Sequence, residues 1–277
     1  MEKKGRFNSR NILFSAALCV IGVLILYPLF FVLLTSIKSN IDFIKNPLGF
    51  TRPHPMNYVD AWKLGRVGQY FYNSVVVTVF TLILQIIIIS LASYSLGKLK
   101  PWGYGFILSA ILMMMFVTAE MTTVPNYMTI RSLSLLNTRL GLIIPYTAGG
   151  LVMGTFILTN FIRGLPKELD DAALIDGAGI FQIMTRVDLP LVLPALATLV
   201  IFNFNGVWSE FFWALITIND ESIKTLPLGL INFQSQFSSN YGVLSAGLTI
   251  LTVPVVVIYL FFSKYFIANI SAGALKG

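Results

Sequence analysis

Four of the twelve acidic residues, Glu168, Asp170, Asp171 and Asp176, fall within nine positions of the stretch KELDDAALIDGAGI. Carboxylates at that spacing suit the start of a short helix. Pro166 fits a first helical turn, where its missing N–H removes no internal bond. Glu168, Asp170 and Asp171 follow in the region where the helix dipole favours negative charge by about 0.3–1 kcal/mol each. Leu169, Ala172, Ala173 and Asp176 recur at spacings of three and four, so they share one face, small-sided and apolar with a carboxylate at its end. Gly177 is placed to stop the helix in a left-handed C-cap. A helix of about eleven residues is roughly 16 Å long, too short to cross a bilayer. After Gly177 and Gly179, IFQIMTRVDLP offers a second short helix, with Phe181, Met184 and Val187 toward the protein and Arg186 toward solvent. Pro190 and Pro194 mark the start of the next apolar run. Most connectors are under about eight residues. A polar interval of nearly thirty, built as two short helices about a glycine turn, reads instead as a docking element.

A second group lies in NFNGVWSEFFW, inside a long apolar run. An ionisable residue at membrane depth costs about 2.5 kcal/mol or more unless it faces a partner or a wet cavity. Beside Glu210, Asn203, Asn205 and Trp208 supply hydrogen-bonding groups and an aromatic surface suited to a sugar; the competing reading is an interhelical network that binds nothing. Glu120, near the end of another apolar run, raises the same question. The only histidine, His54, sits between Pro53 and Pro55 and reads as solvent-facing. Cys19 stands alone inside the first apolar run and reads as packing, so neither a disulfide within the chain nor a Cys-rich metal site is expected. No catalytic constellation and no glycine-lysine phosphate loop is present, so no catalytic residue, metal site or cofactor is assigned to this chain.

The elements that must position these groups follow from composition. Hydrophobic residues make up 56% of the 277 and charged residues 11%, with a mean hydropathy of +0.79, whereas soluble domains carry about 25% charged residues. This is the composition of a membrane protein. The net charge of +7 is scattered through short polar segments, which fits membrane topology and not nucleic-acid binding. Six runs are long enough to cross the hydrocarbon core, at 12–37, 72–97, 104–125, 140–162, 192–218 and 243–268. Backbone groups in lipid must be satisfied internally, so these runs are helices and the expected fold is an all-α membrane protein with six transmembrane helices. The first run exceeds the roughly 7–15 residues of a signal-peptide core and lacks a small-x-small exit, so it is expected to remain as a span.

With the N-terminus cytoplasmic, eleven Lys and Arg residues fall in inner segments and eight in outer ones, the bias of the positive-inside rule. That arrangement gives one domain over 1–277, with a cytoplasmic N-terminus 1–11, a transmembrane core 12–268, an inner loop 163–191 and a cytoplasmic tail 269–277. In the first outer loop, NPLGFTRPHPMNY favours ordered irregular structure over helix. Between the third and fourth spans, NYMTIRSLSLLNTRLG has room for a short helix at the outer interface.

The stretch ELDDAALIDGAGIFQIMTRVDLPLVLP resembles the cytoplasmic EAA loop of permease subunits in binding-protein-dependent ABC importers. Its elements fall on Asp171, Ala172 and Ala173, then Asp176, Gly177 and Ala178, then Leu189 and Pro190, with Asp171 in place of the usual glutamate. NYVDAW, YFYNSVVVT, LLNTRLGLIIPY, VWSEFFWAL and the tail KYFIANISAGALKG are similar to the carbohydrate-uptake class, specifically the smaller permease of maltose importers. Ser209 stands where that class commonly has asparagine. The likeness runs from residue 57 onward. It implies that the loop between the fourth and fifth helices is a coupling helix seated in a groove of a cytoplasmic ATPase, through Glu168, Asp171, Ala172, Ala173, Asp176 and Gly177. It implies ATPase contacts by Gly273, Lys276 and Gly277 of the tail, and a translocation pathway near Asn203, Asn205, Trp208 and Glu210.

The implied partners are a second homologous permease, two ABC ATPase subunits that use ATP and Mg, an extracytoplasmic sugar-binding protein and the lipid bilayer. The implied substrate is a sugar, an oligosaccharide in particular, with a phosphodiester or modified sugar as the alternative within the same class. A secondary transporter would place ionisable residues in paired broken helices of an inverted repeat, and no such repeat is visible.

Overall fold

The computed structural model describes residues 9–237 and 240–274, and among them there is no strand. The helices, in chain order, are α1 (Ser9–Ser36), α2 (Asn40–Lys45), α3 (Met56–Lys63), α4 (Val67–Tyr94), α5 (Tyr104–Met114), α6 (Ala119–Ser132), α7 (Leu140–Arg163), α8 (Lys167–Ile175), α9 (Ile180–Ile183), α10 (Leu189–Leu191), α11 (Leu193–Trp208), α12 (Phe212–Thr217), α13 (Leu226–Gln236) and α14 (Tyr241–Ala274). Two single π-helical turns, Ser95–Leu99 and Met184–Asp188, follow α4 and α9.

Four helices are long and apolar enough to cross a membrane unaided: Phe14–Ser36, Val67–Leu99, Leu140–Arg163 and Tyr241–Lys264. Two further candidates are bent pairs, α5 with α6 at 102° and Ile180–Leu191 with α11 at 76°, so the number reaches six if each pair counts as one span; the second pair draws in residues 180–191, expected in the inner loop, and only α11 lies in the run expected over 192–218. The run expected as one helix over 104–125 therefore breaks. Thr118 adopts an extended conformation, and beyond it Glu120, Thr122, Thr123 and Asn126 make α6 too polar to prolong the apolar α5. The short helix expected within NYMTIRSLSLLNTRLG is thus part of α6, starting earlier than the sequence indicated. The run expected over 192–218 also ends early, at Trp208. The 76° bend falls at Val192, two residues before Pro194, which can neither donate to a preceding carbonyl nor fit against it in a continuous helix.

Contacts divide the chain into two compact units, one of residues 1–67 and 230–252 and one of 68–229 and 253–277. In the first, Lys38 is buried, and its Nζ donates to the carbonyls of Asn46 (3.1 Å) and Pro47 (2.7 Å). Asn57 Nδ2 donates to the carbonyls of Ser36 (2.9 Å) and Lys38 (2.7 Å). These bonds fix the irregular segment 46–55, and Gly242 packs so tightly here that a Cβ would lie 2.5 Å from the Lys38 carbonyl. His54 is exposed. Cys19, expected in packing, is exposed on α1, as a lipid-facing position in a span permits.

The second unit holds both candidate sites. α7 touches α5, α6, α11 and α12. Gly150 and Gly154 let it approach α4 closely: a Cβ on either would meet Gln85 or Ile89 at 2.2–2.3 Å, the small-residue packing by which helices associate in lipid. Asn73, fully buried, accepts from Arg139 Nη2 (2.8 Å) and donates to the carbonyls of Ser222 (2.9 Å) and Lys224 (3.0 Å). Asn137, at φ +56°, accepts the amide of Asn219 (2.6 Å). Hydrogen bonds from the Ser222 amide and hydroxyl hold the Asp220 carboxyl below its ordinary range. The motifs YFYNSVVVT and LLNTRLG thus meet in one network that anchors the 218–225 loop.

Candidate coupling hairpin and membrane cavity

The acidic stretch forms the expected hairpin. Pro166 is the N-cap of α8, one place before the first turn, and Glu168 and Asp170 are the acids of that turn. α8 has nine residues and buries none of them. It ends at Asp176, followed by Gly177 at φ +79°. The Gly177 amide donates to the Leu174 carbonyl and the Ala178 amide to the Ala173 carbonyl, each at 3.0 Å. This paired closure satisfies the last carbonyls and requires the left-handed residue at 177. The chain restarts where the Gly179 amide donates to Gln182 Oε1 (3.0 Å), and it returns through α9, the Met184–Asp188 π turn and α10.

Glu168, Asp171, Ala172 and Asp176 are exposed and Ala173 is half-buried. Met184 is buried and Arg186 exposed, as expected, but Phe181, expected to face the protein, is 67% exposed. With Ile175 at 86% and with Leu174 and Ile180 also exposed, it forms an apolar rim around the hairpin tip. Sequence periodicity missed Phe181 because a two-turn segment has too few residues to define a face.

Lys98 joins the hairpin to the end of α4. Asp170 Oδ2 lies 2.5 Å from Lys98 Nζ, and Asp188 Oδ1 lies 3.5 Å from it. Tyr94 and Met184, from the segments that carry Lys98 and Asp188, belong to an apolar cluster with Ile89, Leu158, Ile162, Val192, Ala195 and Leu199. Lys98 read as one more inner positive charge, and nothing in its neighbourhood in sequence pointed to residues 72 and 90 positions away.

The second site is a cavity of about 710 Å³ whose lining includes Gln85, Asn126, Tyr146, Asn203, Glu210 and Trp213. Of the four expected pathway residues, Asn203 and Glu210 reach it. Asn205 is exposed elsewhere, and Trp208 is buried, stacked on Phe204 (centroids 5.5 Å) and edge-on to Phe71 (5.6 Å). A helical period of 3.6 explains the division: Asn203, Gly206, Val207 and Glu210 share one face of the chain, and Trp208 does not.

Glu210 sits at the break between α11 and α12. Its Oε1 accepts the Trp213 amide (2.7 Å), its Oε2 accepts the Ala214 amide (3.3 Å), and the Tyr146 hydroxyl donates to Oε2 in a short hydrogen bond. The carboxylate therefore caps α12 and ties it to α7. Gln85 Nε2 donates to the Tyr146 carbonyl (2.8 Å), while its buried Oε1 has no hydrogen-bond partner. A lone Gln in the run TLILQIIIIS was the available signal for this residue.

Residues 62–271 match the family described as "Binding-protein-dependent transport system inner membrane component". The chain belongs to that family. It is thus a multi-pass membrane component of a transport system. It is 35% identical to the probable ABC transporter permease protein YurM of Bacillus subtilis, over 92% of this chain and 85% of that one. Over 94% of this chain and 87% of the relative, it is 32% identical to the diacetylchitobiose uptake system permease protein NgcG of Streptomyces coelicolor. A chain in the crystal structure of a bacterial ABC transporter involved in import of the acidic polysaccharide alginate superposes with a TM-score of 0.81, covering 96% of this permease and 99% of that chain at 24% identity. This likeness establishes the ABC-permease fold.

Proposed function

We propose that this chain is the permease subunit of an ATP-driven importer that takes up an oligosaccharide delivered by an extracytoplasmic binding protein. The observation that carries the reading is the hairpin: a nine-residue helix with no buried residue, closed by Gly177 and rimmed by exposed apolar side chains, which presents the EAA elements as a surface another protein can grip. A partner ATPase hydrolyses ATP and binds the Mg. Its closure moves the docked helix as a lever and exchanges inward-facing and outward-facing packings of the spans. Both termini then lie in the cytoplasm, and a second homologous permease completes the pathway.

Two features support a sugar. One relative is named for diacetylchitobiose uptake. The cavity lining pairs amides and a phenol with aromatic and apolar surface and, among the described residues, contains no Lys or Arg. A phosphodiester would meet Glu210 without a compensating cation; a neutral saccharide needs none.

ATPase-coupling roles for Glu168, Asp171, Ala172, Ala173, Asp176 and Gly177 belong to this proposal, as do pathway roles for Asn203 and Glu210. Asn205 and Trp208 do not line the cavity, so the proposed pathway roles for them stand apart from it. In the tail, Gly273 falls in the last turn of α14, while Lys276 and Gly277 lie outside the described residues.

The test is uptake and binding-protein-stimulated ATP hydrolysis by the reconstituted complex, over a panel of neutral oligosaccharides and glycerophosphodiesters. Stimulation by an oligosaccharide supports the reading; stimulation by a phosphodiester alone overturns the substrate. An active complex with two copies of this chain and no second permease would overturn the heteromeric assembly.

A further inference from the structure

α8 is held to the spans by little. It buries no residue. Among the described residues, the polar side-chain contact that ties it to a span is Asp170 to Lys98, at 2.5 Å. Lys98 lies in the π turn that ends α4, and Asp188 lies in the π turn that leads toward α11. π turns inside helices are frequent at functional sites. The Lys98 side chain is 10% exposed and that of Asp188 wholly buried. Lys98 Nζ reaches both carboxyl groups, Asp170 Oδ2 at 2.5 Å and Asp188 Oδ1 at 3.5 Å. One ammonium therefore serves two carboxylates from two segments that are apart in sequence.

From this geometry we infer that Lys98 is a positioning residue for transport: it clasps the coupling helix to the end of α4, so that load on α8 reaches α4 as well as the covalently connected α11. The inference rests on the proposed docking of an ATPase at the hairpin. Asp170 is outside the motif elements Asp171, Ala172, Ala173, Asp176 and Gly177. It belongs to the inner side of α8, while the exposed motif acids are left for the partner. The end of α4 is itself well seated: at Gly97 a Cβ would meet Ile162 Cγ2 at 2.9 Å, and Arg163 Nη2 donates to the Leu96 carbonyl (3.3 Å). A clasp anchored at such a point transmits displacement. Without it, α8 is free to swing between Pro166 and Gly177 with the ATPase still attached.

The experiment compares three variants in the full complex with its binding protein: Lys98→Met, Lys98→Met with Asp188→Asn, and Lys98→Arg. It measures ATPase retention during purification, thermal stability, and substrate taken up per ATP hydrolysed. Lys98→Met should retain the ATPase yet lose about tenfold in uptake per ATP, within the 5- to 150-fold range of couplings between distant sites. The double variant replaces the buried carboxyl left without its ammonium by a neutral amide, so thermal stability should recover while uptake per ATP stays low. Lys98→Arg should keep coupling near the wild-type ratio. Normal coupling in Lys98→Met, or coupling restored together with stability in the double variant, would overturn the inference and leave the docking reading standing. A wild-type chain that fails to hold any ATPase would overturn the docking reading and this inference with it.

Discussion

The hairpin and the Glu210 break use the same side-chain chemistry in opposite ways. On the hairpin the motif acids Asp171 and Asp176 are exposed to solvent. At the end of α11 the carboxylate of Glu210 is consumed internally, by the amides of Trp213 and Ala214 and the hydroxyl of Tyr146. The difference follows from the surroundings. Water and the helix dipole stabilise an acid on a short exposed helix, which leaves its oxygens available to a partner. Among spans an acid must find donors in the protein, and a helix break supplies them as unpaired amides. An acid at membrane depth is thus first a structural element, and any role in handling substrate is added to that.

The most severe way to break this comparison is charge reversal. Asp171→Lys with Asp176→Lys is expected to leave membrane insertion and thermal stability intact while uptake falls by about tenfold or more, on the scale of allosteric couplings. Membrane-fraction yield, melting temperature and uptake read the three properties separately. Normal uptake would remove the docking role of these acids.

Glu210→Ala should do the reverse and act first on stability. Each buried donor left unpaired costs about 1–3 kcal/mol, so the purified permease should melt at a clearly lower temperature. An unchanged melting temperature would show that the cap is dispensable. Tyr146→Phe removes a single hydrogen bond to a charged group, worth about 1.5–3 kcal/mol, and should lower the melting temperature less than Glu210→Ala does.

The smallest effect is expected at the turn. Gly177→Ala forces a side chain into the left-handed region at roughly 1–2 kcal/mol. The strain is local to the exposed hairpin, so it should weaken coupling modestly without a matching loss of global stability. Parallel uptake assays and melting curves check this.

Much of the hairpin was legible because its signals are local. Gly177 ends the helix as its position foretold, and the acids of the first turn lie where the dipole favours them. Phe181 was misplaced for want of periodicity, and Pro166 by one position. The cavity was half legible: Asn203 and Glu210 share its face, but Asn205 and Trp208 do not. Nearness in sequence is a poor guide to direction on a helix that turns 100° per residue.

The sequence by itself determined the all-helical membrane architecture, because lipid leaves no other way to satisfy a long apolar backbone. Its motifs also located the acidic hairpin. Only the tertiary structure decided where the expected runs 104–125 and 192–218 break. Apolar runs measure the tendency to enter lipid, whereas the extended Thr118 and the cap by Glu210 are geometric choices made within such runs. It also decided that Lys98, Asp170 and Asp188 meet. Their attraction depends on distance in space, and the fold alone brings together groups separated by 72 and 90 positions in the chain.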